Sequence, residues 1–550
     1  MIARLESNNM GNSQRHRQDI AYLALLALTT LPALLVTPSS DWAITIIVNT
    51  ALIAIFSISR ITRPLFLIPV LLAACQIGFY FYTQRIIDRY FWMTIISAYQ
   101  WGADYANVLP VWKLVVFGIY IITLLSTSAY LIFSKNSYSS RILSAAACII
   151  LIAAICVRYH DAEKNSWFAK DFHHTYFAQV AGGLTDLLPG KEIKSTMALR
   201  FASDESENVP QILVIIGESE TRTRMGIYGY ERNTTPYAGS PYVFANEYAV
   251  GLNTQPNVQA LLTGSVKQSL LSSRTNIFDL AKSAKYKIIF IDNNGFHFND
   301  PVVKFAFNNA SKYISMNHAA EALAENDNKV KYDGVLIRPF KDQVKKHEND
   351  KAIYVLHMMG SHPSQNRRYP PEFNKFPSYY DNSVLYTNWF LSEIRKAFFS
   401  KQHRPAVIIY VADHGVALPP GCGFSDSIPN PENANYGAND NYLSSYEVPL
   451  LVWTNREFEA EHEKLSLHLN NNHSIPLDHR FLFYSVANLI GITAIDDVDV
   501  GRYSIFSGAP NFLPRIDVYG KNIDEGIHAG RICAGDKHLK PLPRDRAYAR

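Results

Sequence analysis

Within the first 158 residues of this chain, five stretches run without a single charged side chain: 20–40, 42–59, 64–84, 114–134 and 142–157. A helix needs about 17–25 predominantly apolar residues to cross a bilayer. The spacing therefore predicts a five-helix transmembrane bundle, with spans about 20–40, 42–59, 64–84, 114–134 and 142–158. The first run is too long for a cleaved signal peptide, and further spans follow it directly. Arg4, Arg15 and Arg17 precede the first span, Arg60 and Arg63 lie between the second and third, and Lys135 and Arg141 lie between the fourth and fifth. Positive charge marks the cytoplasmic side. An odd number of spans then carries everything after Val157 to the other side, which in a bacterium is the periplasm. Trp42, Tyr80, Tyr82 and Trp112 sit near span ends, as interfacial anchors do.

The segment about 85–108 is neither a full span nor a polar loop. Tyr90, Phe91, Trp92, Ile95, Ile96, Tyr99 and Trp101 are interleaved with Ser97, Gln100 and Asp104. It is expected to form an amphipathic helix on the outer membrane surface. Two roles fit it: contact with a lipid substrate, or packing under the soluble part.

A bridging segment, 159–209, leads to a region of soluble character, 210–550. The whole chain has 52 Lys and Arg against 48 Asp and Glu, a net charge of +4, a near balance that argues against a nucleic-acid binder. From Pro210 onward, short β-branched runs alternate with helical patterns. The clearest are 211–216 (QILVII), 287–292 (KIIFID), 352–357 (AIYVLH), 406–412 (AVIIYVA) and 448–453 (VPLLVW). Near-continuous apolar strands separated by helices indicate a mainly parallel sheet buried on both faces.

Open α/β sheets bind ligands beyond the carboxyl ends of their strands. Here those ends read Gly217-Glu218-Ser219, Asn293-Asn294-Gly295, Gly360-Ser361-His362 and Asp413-His414-Gly415. Glu218, Asp413 and His414 offer two carboxylates and an imidazole, a donor set that suits Zn²⁺ and allows Mn²⁺. Between the first two strands, Thr254 stands in a small polar turn before an apolar helical pattern. A hydroxyl at a helix N-terminus meets dipole and free N–H groups that favour a phosphoryl group. Such a threonine is equally an ordinary N-cap, and the residues by themselves leave both readings open.

The stretch Gly217-Glu218-Ser219-Glu220-Thr221-Arg222, continuing through Tyr228-Gly229-Tyr230, Arg232 and Thr234-Thr235-Pro236, resembles the bacterial phosphoethanolamine transferases. The order of Glu218, Thr254, His362 and Asp413-His414 matches that family too. The resemblance implies an alkaline phosphatase-type, sulfatase-like α/β/α domain after the membrane spans. It implies transfer of phosphoethanolamine from phosphatidylethanolamine to lipopolysaccharide, at lipid A phosphate or core heptose, through a phosphoethanolamine–threonine intermediate with release of diacylglycerol. By position, Glu218, Asp413, His414 and Thr254 would hold Zn²⁺, Thr254 would be the nucleophile, and His362 would be the substrate-binding or second-metal histidine. Gln100 and Asp104 fall roughly where the family carries polar substrate contacts. The partners implied are the donor lipid, the lipopolysaccharide acceptor and the surrounding membrane lipids, around a monomer.

The chain departs from the family pattern after Asp413-His414-Gly415. Val416 follows where Glu is usual, and 417–423 (ALPPGCG) holds no histidine. His473 and His479 are the candidate replacements. Cys422 and Cys533 lie in the soluble part, where an oxidising compartment allows a disulfide between them. A phosphoglycerol transferase or a sulfatase-like hydrolase is the rival enzyme reading. Thr254-Gln255-Pro256 resembles a sulfatase nucleophile motif, but Val258 stands where Arg is expected. A catalytically inactive lipopolysaccharide-binding scaffold is the rival from another class.

Overall fold

The computed structural model describes residues 2–35, 42–57, 61–83, 111–134, 198–202, 209–266, 275–294, 305–306, 308–316, 332–400, 403–418, 442–518, 520–530 and 532. They fall into two compact units. The predicted fifth span, the amphipathic helix with Gln100 and Asp104, the bridging segment up to residue 197, and both Cys422 and Cys533 lie outside the described residues.

In the N-terminal unit, four of the predicted spans fall on helices: α1 (Ile2–Leu34), α2 (Trp42–Phe56), α3 (Leu67–Thr83) and α4 (Val111–Phe133). Among the described residues, only α4 is long and apolar enough to cross a membrane. The structure therefore does not establish the five-helix count: α2 has 15 residues and α3 has 17, short of the mark. α1 also starts well before Ile20, so its apolar half is only its C-terminal part. Leu25, Ile53, Phe66, Val70, Ala73, Leu124 and Leu131 form the common core. Along α4, Trp112, Val115, Val116, Ile119 and Ile122 stay exposed, which water would penalise and lipid would not.

The second unit is built on a seven-stranded sheet. In chain order its strands, with those of two smaller sheets, are β1 (Leu199–Phe201), β2 (Gln211–Gly217), β3 (Tyr242–Phe244), β4 (Glu247–Tyr248), β5 (Lys287–Asp292), β6 (Lys312–Ser315), β7 (Ala352–His357), β8 (Ala406–Ala412), β9 (Leu450–Thr454), β10 (Leu477–Asp478), β11 (Ile492–Ile495) and β12 (Val498–Asp499). The large sheet has the order β3-β9-β8-β2-β7-β5-β6. β8, β2, β7, β5 and β6 run parallel, whereas β9 is antiparallel to both β8 and β3. Four of the five strands read from sequence coincide with central strands. The fifth begins two residues later than expected and reverses direction, as a strand near a sheet edge can without a crossover helix.

The period-2 alternation of these strands makes the core two-sided. Ile212, Val214 and Ile216 point into one layer with Val258, Leu261, Phe278, Phe481 and Leu482. Those side chains belong to α5 (Thr254–Thr263), α6 (Ile277–Ser283) and α11 (Arg480–Leu489), and α9 (Arg456–Glu461) and α10 (Glu463–Asn472) add Phe458 and Leu469. Leu213 and Ile215 point into the other layer, with Phe340 and Val344 of α7 (Ile337–Lys346) and Val384 and Leu391 of α8 (Tyr379–Phe399). Burying each such side chain contributes about 1.5–3 kcal/mol. The result is an α/β/α sandwich whose parallel strands end along one edge.

Candidate metal centre and active site

Strand register brings the predicted ligands together. Gly217 of β2 pairs with Ala412 of β8. The next residue on each strand, Glu218 and Asp413, therefore leaves the sheet at the same level. On the other side of β2, Ile216 pairs with His357 of β7, which in turn pairs with Asp292 of β5. The turns carrying residues 358–362 and 293–294 thus open at the same edge.

Glu218, Asp413 and His414 are all buried, with one ligand atom from each lying within 4.8 Å of the others. His414 Nε2 lies 3.5 Å from both Glu218 Oε1 and Asp413 Oδ2. Its Nδ1 lies 2.8 Å from the Gly415 carbonyl oxygen. A carbonyl can only accept, so Nδ1 carries a proton, and Nε2 is the nitrogen left to meet a cation beside the carboxylates. Asp413 Oδ1 accepts from the N–H groups of Ser219 and His414, at 2.9 and 2.7 Å. Its Oδ2 is buried with no hydrogen-bond partner. An orphaned carboxylate oxygen beside an imidazole lone pair and a second carboxylate fits a divalent cation. Burial drives the Asp413 pKa up, and the Glu218 charge adds to the effect. Glu218 is also desolvated, but the nearby His414 and His362, with hydrogen bonds from Ser219 and Asn294, hold its pKa down.

Thr254 opens α5, and Gly264 in the left-handed region closes it. The Thr254 hydroxyl is partly exposed and donates to Glu218 Oε2 at 2.9 Å. Asn257, one turn on, accepts from the N–H groups of Val250 and Gly251 at 2.9 Å each, which fixes the entry to the helix. The sequence-predicted nucleophile and the three predicted metal ligands are therefore one cluster.

His362 is buried near the same edge. Arg368 donates to its backbone oxygen at 3.1 Å and to the Pro363 oxygen at 2.8 Å, so the turn is clamped from behind. His479 reaches the region from the far end of the chain, but not as a ligand. Its Nε2 meets the Asp413 carbonyl oxygen at 2.6 Å and its Nδ1 meets Glu247 Oε1 at 2.9 Å. His473 is exposed at the end of α10, its Nδ1 on the Asn470 oxygen. Neither histidine takes the place of the one missing after Gly415.

Three further residues support the site: Asn294 and Gly360, read from sequence only as strand-end residues without a role, and Asp333, which the sequence does not single out. Asn294 donates to Glu218 Oε2 at 2.7 Å and to the Met358 oxygen at 2.8 Å. Asp333 accepts from the Met359 and Gly360 N–H groups at 2.8 Å each. Gly360 adopts φ +45, and a Cβ there would lie 2.6 Å from the Glu218 oxygen. Only glycine lets the β7 turn back onto Glu218 so closely.

The long motif 217–236 divides in two. Its first residues make the site, with Ser219 itself at φ +54 and its carbonyl held by the Tyr380 hydroxyl at 2.8 Å. Glu220 lies beneath, bonded to the Tyr410 hydroxyl, and burial pushes its pKa up to about 7. The remainder is scaffold: the Tyr230 hydroxyl and Arg232 both bond Asp381 of α8, and Arg224 donates to Tyr230 at 2.7 Å.

Comparison with known proteins matches residues 210–492 to the family described as Sulfatase. The chain is 24% identical over 373 residues to "Phosphoethanolamine transferase EptA" of Helicobacter pylori, covering 62% of this chain and 66% of that protein. It is 26% identical over 324 residues to "Phosphoethanolamine transferase EptC" of Escherichia coli, covering 52% of each. The matches thus span about half to two thirds of these relatives' own length. Among solved structures, the integral membrane lipooligosaccharide phosphoethanolamine transferase A of Neisseria meningitidis has the same fold at a TM-score of 0.58 and 16% identity. That likeness covers 86% of this chain and 96% of the other, so it takes in N-terminal helices as well as the sandwich.

Proposed function

This chain belongs to the sulfatase family, and from that premise we propose that it transfers phosphoethanolamine from phosphatidylethanolamine to a lipopolysaccharide acceptor. The acceptor group is lipid A phosphate or core heptose. The names of the curated relatives support the transferred group, and the fold shared with an integral membrane relative supports a bacterial inner-membrane protein whose sandwich faces the periplasm. The observation that carries the reading is the Thr254 hydroxyl, 2.9 Å from a carboxylate of the Glu218, Asp413 and His414 cluster.

Glu218 Oε, Asp413 Oδ2, His414 Nε2 and Thr254 Oγ1 would hold the ion, with Zn²⁺ the best match to the donors and Mn²⁺ the alternative. When bound, such an ion stabilises negative charge on phosphoryl oxygens and lowers the pKa of a hydroxyl. In the first half-reaction the Thr254 Oγ1 attacks phosphorus. The new O–P bond forms as the bond from phosphorus to the diacylglycerol oxygen breaks, and Glu218 Oε2 is placed to take the Thr254 proton and pass it to the departing oxygen. Attack from a helix N-terminus puts free N–H groups near the phosphoryl oxygens. In the second half-reaction an acceptor hydroxyl oxygen attacks phosphorus of the threonine ester, the bond from phosphorus to Thr254 Oγ1 breaks, and the acceptor's proton ends on Thr254 Oγ1. His362, clamped by Arg368, serves proton transfer or charge stabilisation at the same edge.

Intact mass of the detergent-purified chain after incubation with phosphatidylethanolamine tests this. A gain of one phosphoethanolamine group that Thr254→Ala lacks is the expected result. Zinc-loaded protein that transfers the group to lipopolysaccharide yet never carries it, even when acceptor is withheld, would overturn the threonine intermediate.

A further inference from the structure

Behind the candidate ligands lies a second buried ionisable pair that the reaction does not use. Glu247 and His479 are both 0% exposed. Glu247 lies on β4 and His479 directly follows β10, and the two strands pair in parallel with Leu477 opposite Glu247. The imidazole bridges Glu247 Oε1, 2.9 Å from Nδ1, and the Asp413 carbonyl oxygen, 2.6 Å from Nε2. Because the carbonyl only accepts, Nε2 is the donor.

Asp413 is the first residue past β8. Its N–H makes a 3.0 Å bond to the Gly217 oxygen, continuing the ladder. Its carbonyl has left the sheet, and a buried carbonyl without a donor is costly. His479 supplies that donor. Asp413 is then fixed at its amide, at its carbonyl and, through Ser219 and His414 N–H, at Oδ1, while Oδ2 points away unbonded. The next residue along the same backbone is His414.

We infer that His479, oriented by Glu247, is a positioning residue of the metal centre, holding the Asp413 backbone so that Oδ2 and His414 Nε2 face one ion. The inference rests on Glu218, Asp413 and His414 being a metal site. It gives a task to the turn between β10 and α11, which offers no ligand of its own. Outer partners of metal ligands commonly contribute about 10–100-fold in affinity.

The test is zinc affinity of the full chain in detergent, by competition with a chromophoric chelator, together with thermal midpoints with and without zinc. H479L should weaken zinc about 10–100-fold and shrink the zinc-induced rise in midpoint. H479Q, whose amide can donate to the Asp413 oxygen, should bind at least about tenfold more tightly than H479L. E247L keeps the donor but frees the ring, and should also weaken zinc, though less than H479L. A variant that lowers the metal-free midpoint while zinc binds as in wild type would show an ordinary core histidine and overturn the inference. If H479L does not fold, unchanged zinc affinity in E247L overturns it alone. Wild-type protein that binds no zinc removes the metal reading itself, an outcome distinct from zinc binding that no variant changes.

Discussion

The N-terminal helices and the α/β/α sandwich bury polar side chains for opposite ends. In the helices the buried polar groups tie segments together: Asn49 donates to Thr29 and Thr30 at 3.2 and 2.9 Å, and Arg63 donates to the Leu131 and Ser134 oxygens at 3.2 and 2.7 Å. At the sheet edge, Asp413 Oδ2 is buried and left without a partner. A buried atom without a partner calls for an explanation, and here an imidazole and a second carboxylate stand beside it, the company a cation needs. The sharpest way to break this comparison is Thr254→Ala. The residue is partly exposed and makes one bond to Glu218. Its loss should cost about 1 kcal/mol or less of stability but reduce phosphoethanolamine transfer by about 10³-fold or more. A transfer assay and a urea midpoint on the same preparation decide it, and a variant that retains transfer places the nucleophile elsewhere.

The next effect in size is Gly360→Ala. The substitution puts a Cβ 2.6 Å from the Glu218 oxygen in a backbone with φ +45. Strain of this kind costs about 1–3 kcal/mol. The turn must retreat, and displacing a catalytic group by about 1 Å can cost 10²-fold in rate. Activity should therefore fall further than the loss of folded protein explains. Full activity at a lowered midpoint would show that Glu218 is held independently of this turn.

A third effect is a pH slope. Burial and the charge of Asp478 raise the Glu247 pKa well above the ordinary carboxylate value, while burial pushes His479 down to about 4. Between about pH 4.3 and 6.5 the unfolded pair carries one proton, on histidine, and the folded pair carries one as well, on Glu247. Stability is flat there as far as this pair is concerned. Above about 6.5 the unfolded chain releases its proton, while the raised Glu247 pKa delays release in the fold, so stability falls as pH rises until Glu247 titrates, by at most about 1.4 kcal/mol per pH unit. E247Q removes the carboxyl that retains the proton. Urea midpoints of metal-free protein at pH 6, 7 and 8 should fall with pH more steeply in wild type than in E247Q. Equal slopes would mean that the pair gives up its proton near neutrality in the fold.

What the sequence could show followed from local order. Parallel strands place their ends at one level, so strand-end residues such as Glu218, Asp413 and His362 were readable once the strands were. The 217–236 motif was readable as a block because its parts act within a few residues of one another or on α8. Asn294, Asp333 and His479 act across 76, 27 and 66 positions of sequence in their bonds to Glu218, Gly360 and Asp413. Asn294 and His479 were legible as residues but not as partners of Glu218 and Asp413, and Asp333, away from any strand end, left no signal at all. His479 shows the difference well: as a residue type it read as a spare ligand, and the fold engages both of its nitrogens. The antiparallel course of β9 was hidden for a related reason, since an apolar strand carries no mark of its direction.

The smallest effect belongs to the helices, and it sharpens the comparison from the other side. Asn49→Leu removes the two bonds from α2 to Thr29 and Thr30 of α1 while keeping an apolar side chain of similar size. Hydrogen bonds between membrane helices average about 0.6 kcal/mol, because the separated helices find other partners. The variant should therefore lose well under 2 kcal/mol in a detergent-unfolding midpoint. Asn49 holds helices and no ligand, so the zinc affinity of the same preparation should equal that of wild type. A change in zinc affinity would mean that a polar tie between apolar helices bears on the metal ligands, and the division of buried polar groups into architecture and chemistry would then fail at its simplest member.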